Sequence, residues 1–380
     1  MHEMIHTPLA IVGMACRLPG AENLDEFWQL IRAGRCALGE VSEDRLNREL
    51  FYDPRKGTLA KSYTTLAGLV TPRQIDPRQW ALSEEEISTA HPMQLELCDA
   101  TASALRHAEM DPAQIAGLRA GVYLGHTGGS AASGRMAYAT QVEHTVDYLR
   151  EVPGFEELLG EQSTQVLQEI VEQTRGEYSS QGFCQKQSAS AFLAARLVSN
   201  AFGLDGPYFS IDAACASSLM ATMMGVQALQ LGDIDMAIVG GGSRCEYDTL
   251  ITMSKAQSVS ATGSRPFDAT ADGLVVAEGY VVLVLKRLED AIAQKNPIWS
   301  VIQGIGVSSD GRGKSLWAPR SEGQVEAVKR AYRSPDEMRH LQFVEAHATS
   351  TQVGDATEVQ ALAEALQEFL PAGKRCLWGV

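Results

Sequence analysis

The sequence has few of the residues that build disulfide scaffolds or metal sites. Its 380 residues include seven cysteines, an odd number, and no two of them form a Cys-x-x-Cys pair. Neither a disulfide framework nor a zinc site is therefore expected, and no other metal site is predicted. Free thiols in a reducing cytosol fit this cysteine usage best.

Long apolar runs and an excess of basic residues are missing too. No stretch reaches the length that spans a bilayer, and the first residues lack the charged-then-apolar pattern of a secretory signal. Aspartate and glutamate number 47 against 32 lysines and arginines, which gives a net charge of −15. Such a surface repels nucleic acid and anionic lipid, so we expect neither as a partner.

What the chain does contain is typical of a large α/β core. Hydrophobic residues make up 45% of it, with 34 glycines, and its length suggests two domains or halves. A charged helical stretch without a turn-rich break is predicted near 137–181. The strand-and-helix pattern that begins at Leu9–Ala15 restarts after Pro297. We therefore expect an N-terminal half, 1–296, and a C-terminal half, 297–380.

Residues 208–220, YFSIDAACASSLM, carry the first chemical pattern. They predict a buried strand, a tight turn of small residues and a buried helix, with Cys215 in the turn. Such an elbow presents one side chain at the start of the helix. The unpaired N–H groups and the dipole of the helix favour a thiolate there, which would make Cys215 a nucleophile. The alternative is a small, buried and inert cysteine.

The second chemical pattern follows a predicted strand at 342–345 in the other half. His347 comes just after that strand, with Asp355 and Glu358 close behind. A lone histidine at a strand end is usually structural, but beside an elbow cysteine it could serve as proton or charge partner. The Gly-rich stretch 125–134 lacks the lysine of a phosphate-binding loop, so nucleotide binding is not expected.

These patterns resemble the ketosynthase (β-ketoacyl-acyl-carrier-protein synthase) domain of type I polyketide or polyunsaturated-fatty-acid-type synthases, in the thiolase superfamily. The resemblance runs nearly end to end. It is carried by IVGMACRLPGA (11–21), SASAFLAARLVSNAFGLDGP (188–207), IDAACASSL (211–219), RPFDATADGLVVAEG (265–279), VLKRLEDA (284–291) and VEAHATSTQVGDATE (344–358). The long helical stretch is more similar to the iterative or polyunsaturated branch than to modular synthases.

The resemblance implies a thiolase-like α/β fold. Two pseudo-repeated halves, each with a five-stranded sheet, would form five layers, α-β-α-β-α, with the C-terminal half incomplete in these residues. It also implies a homodimer that works with an acyl carrier protein and with other domains of a synthase. No bound cofactor is implied, because the substrates are carried on the phosphopantetheine of the carrier.

The resemblance also implies roles for individual residues. Cys215 would take an acyl chain from the carrier as a thioester. His347 would assist decarboxylation of a malonyl-type extender and hold the enolate oxygen, the two residues meeting at the floor of a shared tunnel. Thr349 and Thr351 would hydrogen-bond the pantetheine arm. Phe267 would lie in a loop bordering the acyl pocket, although a core phenylalanine is an equally open interpretation.

The sequence departs from the commoner HGTGT motif of the family, since Ala348 and Ser350 replace glycines. The family's lysine and second histidine belong to a motif beyond RCLWGV (375–380), so we expect this chain alone not to condense. One alternative is a non-condensing ketosynthase that binds or transfers acyl chains or serves as a dimerisation scaffold. A coenzyme-A thiolase and a purely structural interaction protein are the others.

Overall fold

The computed structural model describes residues 7–112, 115–126, 131–155, 157, 160–179, 193–313, 318–332, 334–338, 340–369 and 377–379. The strands are β1 (Leu9–Arg17), β2 (Gly39–Glu40), β3 (Leu66–Ala67), β4 (Ala120–Gly125), β5 (Tyr208–Ile211), β6 (Met236–Ser243), β7 (Gly279–Arg287), β8 (Ser300–Ile302), β9 (Phe343–Glu345) and β10 (Leu377–Gly379).

The α-helices among these residues are α1 (Leu24–Arg32), α2 (Arg48–Phe51), α3 (Glu84–Thr89), α4 (Pro92–His107), α5 (Ala131–Glu151), α6 (Ser163–Ser179), α7 (Leu193–Ala201), α8 (Ser217–Leu231), α9 (Tyr247–Lys255), α10 (Leu288–Ala293), α11 (Ser321–Arg330), α12 (Pro335–Met338) and α13 (Gln352–Phe369). Short 3-10 helices lie at Pro77–Gln79 and Gly160–Gln162. No helix in this described part is both long and apolar enough to cross a membrane.

The main sheet has six strands in the order β5-β4-β6-β7-β1-β8. β4 pairs in parallel with both β5 and β6, whereas β7 runs antiparallel to β6 and β1. Every residue of β4 is buried. A strand covered on both faces has an apolar sequence without polar alternation, which is why AGVYLG forms an inner strand.

Helices cover both faces of this sheet. On one face α4 and α7 enclose a core that includes Val12, Leu97 and Val198. On the other face α8 packs Val226 and Leu229 against the sheet. The prediction that α8 is buried was wrong for its outer face, where Leu219 and Leu231 are 67% and 75% exposed. A left-handed C-cap at Gly232 ends the helix.

The expectation of a five-stranded first sheet was wrong for these residues, because a sixth strand joins it. β8 pairs antiparallel with β1, with Leu9 opposite Ile302. β8 is a short strand of three residues that ends at Ile302. The second sheet consists, in the described residues, of β9 and β10, which pair in parallel.

The prediction of an unbroken helical stretch at 137–181 was also wrong. α5 begins at Ala131 and ends at Glu151, just before Pro153 and Gly154. Proline cannot continue a helix, and Gly154 adopts a left-handed φ of 80°, so the chain turns there and continues in α6. Residues 180–181 of the predicted stretch lie outside the described residues.

Buried Val142, Val146 and Leu167 lie on α5 and α6, which pack against each other. An ion pair between Arg175 and Glu143, with nitrogen and oxygen 2.7 Å apart, links the same two helices. α5 and α6 therefore form a helical hairpin.

Candidate active site

The cysteine elbow forms where three parallel strands end together. The carboxyl ends of β4, β5 and β6 lie side by side, and open α/β sheets bind ligands at the carboxyl ends of their strands. The strand, turn and helix predicted around Cys215 are confirmed. The strand itself was predicted to be buried, and this was wrong: β5 is the outermost strand, and Tyr208 and Phe209 are 41% and 47% exposed.

Short polar side chains hold the turn of the elbow. Asp212 Oδ1 accepts a hydrogen bond of 3.0 Å from the Ala214 N–H. Ser217 Oγ accepts one of 2.9 Å from the Ala213 N–H and donates one of 2.5 Å to the Ala214 carbonyl. Ala214 adopts a left-handed φ of 50°, which only a small side chain tolerates easily. These contacts leave Cys215 exposed, directly before α8.

Gly125, the last residue of β4, packs directly against the first residues of the elbow helix. A methyl group at this glycine would lie 2.4 Å from the Ser218 nitrogen and 2.5 Å from the Ser217 carbonyl carbon. Real methyl groups do not approach backbone so closely. The strand and the start of α8 can therefore touch only because residue 125 has no side chain.

The histidine lies on a turn between β9 and α13 that Glu358 braces. Glu358, on α13, accepts hydrogen bonds of 2.6 Å from the His347 N–H and 2.9 Å from the Ala348 N–H. Glu358 thus braces the turn that carries His347. Both backbone donors are satisfied by a single carboxylate, which fixes the orientation of the histidine backbone.

Cys215 and His347 contact each other through a hydrogen bond between thiol and ring. This bond is the largest cause that lowers the pKa of Cys215, while partial burial of the thiol acts in the opposite direction. The same bond raises the pKa of His347, with help from the negative charges of Glu358 and Asp355, and burial opposes the rise. The pair therefore favours thiolate and imidazolium.

The two threonines lie on the same turn as His347. Their hydroxyl oxygens are 2.8 Å apart and hydrogen-bonded to each other. Gly354 on α13 packs against both of them, since a methyl group there would come within 2.4 Å of Thr351 Oγ1 and 2.9 Å of Thr349 Oγ1. Thr349 and Thr351 thus stand as a pair beside the histidine, in a position to share one ligand.

Phe267 approaches this turn from a loop of the N-terminal half. Its N–H donates a hydrogen bond of 2.7 Å to Oδ2 of Asp355, a buried residue near the start of α13. Phe267 adopts a left-handed φ of 59°, which is unusual for a bulky side chain. The structure thus brings all five predicted residues to one region, although Cys215 and His347 are both exposed in the described residues rather than enclosed in a tunnel.

Two residues of the turn adopt a backbone conformation that is typical of glycine, although neither of them is a glycine. Ala348 and Ser350, which replace family glycines, have φ angles of 51° and 61°. For a residue with a side chain this conformation costs about 1–2 kcal/mol. Nothing in the sequence indicates which contacts hold these two residues in that conformation. It also contained one sign that was missed, an aspartate three positions before Cys215 and a serine two after it, residue types that brace tight turns.

Comparisons with known proteins agree on one family. The beta-ketoacyl synthase N-terminal domain matches residues 6–291, and the beta-ketoacyl synthase C-terminal domain matches residues 299–376. The mycocerosic acid synthase-like polyketide synthase of Mycolicibacterium smegmatis is 33% identical over 94% of this chain and 15% of its own length. The pikromycin polyketide synthase component PikAII of Streptomyces venezuelae is 33% identical over 93% of this chain and 9% of its own.

Solved structures show the same relationship. The oxazolomycin ketosynthase domain OzmH KS7 of Streptomyces albus superposes with a TM-score of 0.80 at 27% identity, covering 98% of this chain and 58% of that one. The ketosynthase from module 6 of the bacillaene synthase of Bacillus subtilis gives 0.76 and 27%, covering 98% and 56%. The chain thus spans somewhat more than half of these ketosynthases and a small part of the curated synthases. With its thiolase-like α/β fold, it belongs to the beta-ketoacyl synthase family, the ketosynthases of polyketide synthases.

Proposed function

We propose that this chain is a β-ketoacyl synthase that forms an acyl thioester on Cys215 and serves decarboxylative condensation in polyketide or fatty-acid biosynthesis. The observation that carries the proposal is the hydrogen bond between Cys215 and His347, which shifts both groups toward their charged forms. A thiolate is a good nucleophile and also a good leaving group, and both steps of a thioester relay need these properties.

In the loading step, the Cys215 thiolate attacks the carbonyl carbon of an acyl group held as a thioester on the phosphopantetheine of an acyl carrier protein. The bond between that carbon and the pantetheine sulfur breaks, and the leaving sulfur takes a proton from the His347 imidazolium. The Cys215 backbone N–H, at the elbow, would serve as one donor to the oxygen that becomes negative in this step.

In the condensation step, a malonyl-type extender on a carrier loses CO2 and leaves its electron pair as an enolate. His347 donates a hydrogen bond to the enolate oxygen. The α-carbon of this enolate then attacks the acyl carbon on Cys215. The Cys215 thiolate departs, and the product is two carbons longer. Thr349 and Thr351 are the proposed donors to the pantetheine arm, a role that their adjacent, mutually bonded hydroxyls support.

We further propose that the chain as given loads acyl groups but does not condense. The exposure of Cys215 and His347 in the described residues would let water reach a site where an enolate needs a dry environment. This exposure also favours the second candidate, a ketosynthase-like domain that transfers acyl chains or serves as a dimerisation scaffold without condensing.

The proposed organisation is two halves that meet at 296–297, with Cys215 supplied by the first and His347 by the second. The proposed partners are an acyl carrier protein, the other domains of a synthase and a second copy of the chain in the cytoplasm. β5 is the outermost strand of the sheet in the described part of the chain, and it exposes two aromatic side chains. This supports the second copy, because such a strand edge is a template for pairing.

Intact mass after incubation with an octanoyl carrier protein tests the loading step. We expect the mass of one octanoyl group on the full chain, placed on the peptide containing Cys215, and none in Cys215→Ala. In His347→Gln the loading rate should fall about 100-fold, the usual contribution of a positioned acid–base group. A chain that takes up no octanoyl group, or takes it up equally in Cys215→Ala, contradicts the proposal.

Condensation needs a separate measurement. After loading, malonyl carrier protein is added and the β-ketoacyl product is sought by mass spectrometry. We expect the octanoyl group to remain on Cys215 or to hydrolyse without CO2 release. Normal β-ketoacyl product from the chain alone would refute the idea that it only loads.

A further inference from the structure

The loop from Arg265 to Gly273 is tied to the turn that carries His347, and most of this tie comes from one residue. The Arg265 N–H donates a hydrogen bond of 2.8 Å to Ser350 Oγ. The Gly273 N–H donates one of 2.9 Å to the Ser350 carbonyl. Ser350 thus holds both ends of the loop that carries Phe267.

A third bond completes the connection. In the middle of the loop, the Phe267 N–H donates to Asp355, which is also buried and lies five positions after Ser350. All three bonds run from backbone donors of the loop to acceptors on the turn or on α13. The loop therefore follows the position of the His347 turn rather than moving by itself.

Ser350 is placed for this task at a conformational cost. It is 0% exposed and has a φ of 61°, a conformation that glycine would adopt without strain. A glycine would offer the same carbonyl to Gly273 but nothing to Arg265. The hydroxyl is thus the feature that a glycine at this position would lack, and the partly buried Arg265 N–H would lose its acceptor, which is costly.

We propose that Ser350 is a positioning residue, whose hydroxyl fixes the Arg265–Gly273 loop and thereby holds Phe267 where it borders the acyl chain bound to Cys215. This inference rests on the proposed acyl loading. It assigns Ser350 an effect on the fit of the acyl group and none on the thiol chemistry. The neighbouring hydroxyls of Thr349 and Thr351 bond to each other, so they do not replace it.

Two variants separate this effect from a loss of stability. Ser350→Ala removes the hydroxyl and keeps the strained backbone, whereas Ser350→Gly removes the hydroxyl and relieves the strain. We expect the unfolding temperature of Ser350→Gly to lie about 2 °C or more above that of Ser350→Ala. Their kinetic defects should nevertheless be the same. Ala60→Gly, at an exposed position with a φ of 56°, controls for strain relief outside the Arg265–Gly273 loop and the His347 turn.

Loading of Cys215 from acetyl-pantetheine and octanoyl-pantetheine provides the kinetic measurement. For octanoyl we expect KM to rise about fivefold in both Ser350 variants, equivalent to losing one hydrogen bond, with kcat within twofold. For acetyl, which is too short to reach the loop, KM should stay within twofold. The pH profile of Cys215 alkylation by iodoacetamide should not change.

The other outcomes are decisive. Unchanged octanoyl kinetics in both variants would show that the tie is only structural. Equal losses for acetyl and octanoyl, or a shifted alkylation profile, would show that Ser350 acts on the thiol and would also overturn the inference. If the unaltered chain loads neither group, the proposed function itself fails, and the inference fails with it.

Discussion

At the scale of single residues, the Cys215 thiol is tuned mainly by one neighbour. Because the His347 hydrogen bond lowers the pKa of Cys215, the thiolate persists at lower pH than an ordinary cysteine allows. In His347→Gln the bond to an imidazolium is lost, so the pKa should rise toward its usual value. The pH midpoint for iodoacetamide alkylation of Cys215 should therefore move upward, and alkylation at neutral pH should slow.

Peptide mass mapping follows this alkylation, and Cys36 in the same sample is the internal control. Cys36 is exposed, lies in a different part of the fold and should give the same profile in both proteins. A Cys215 midpoint that does not move in His347→Gln would mean that the elbow and its helix, rather than the histidine, set the thiol pKa.

The sequence predicts the chemical roles of these residues better than it predicts their backbone conformation. Small residues around Cys215 and a histidine after a strand are visible in the sequence. Glu358 accepts a hydrogen bond from the His347 N–H because α13 brings its carboxylate to the turn. The left-handed backbone at Ala348 and Ser350 could not be predicted from propensity, because side chains normally avoid it and tertiary bonds hold it in place.

At the scale of elements, the meeting of β4 with α8 decides where the elbow points. In Gly125→Ala the new methyl group would collide with backbone at Ser217 and Ser218, which cannot rotate away as a side chain could. We expect a loss of about 2–3 kcal/mol in the free energy of unfolding, and slower alkylation of Cys215 as the start of α8 shifts.

Urea unfolding measures this loss, with Gly39→Ala as the matched control. Gly39 lies in an exposed short strand with open space around it, so its substitution should change stability by less than about 0.5 kcal/mol. Equal midpoints for Gly125→Ala and Gly39→Ala would show that β4 and α8 are not in close contact in solution.

Elements with one clear local cause were the predictable ones. The α1 helix begins after Asn23, a residue type that favours helix caps, and the Asn23 side chain accepts a hydrogen bond of 3.0 Å from the Glu26 N–H. The break between α5 and α6 was present in the sequence as Pro153-Gly154, but the helical periodicity on both sides was given too much weight. The edge position of β5 depends on which strands pair with it, and residue pattern alone does not determine this.

At the scale of the whole molecule, the prediction and the structure differ in which distant strands pair with each other. The restart of the pattern after residue 297 suggested a second sheet, yet β8 pairs with β1 at the edge of the first sheet. Nothing local distinguishes a strand that begins a new sheet from one that completes an old one. The contact between Cys215 and His347 was easier to predict, because it was inferred from chemistry and from the resemblance rather than from pairing.

β5 forms the opposite edge of the same sheet, and it exposes two aromatic residues there. If two copies pair along β5, sedimentation should give twice the chain mass of 41.0 kDa. Tyr208→Lys places a charge on that edge, a common device against strand pairing, and should weaken the dimer at least about tenfold. Leu59→Lys is the control: Leu59 is 81% exposed and apolar but lies away from the sheet edge, so its substitution should leave the dimer intact. A monomeric chain, or a dimer equally resistant to both changes, would show that β5 is not the interface.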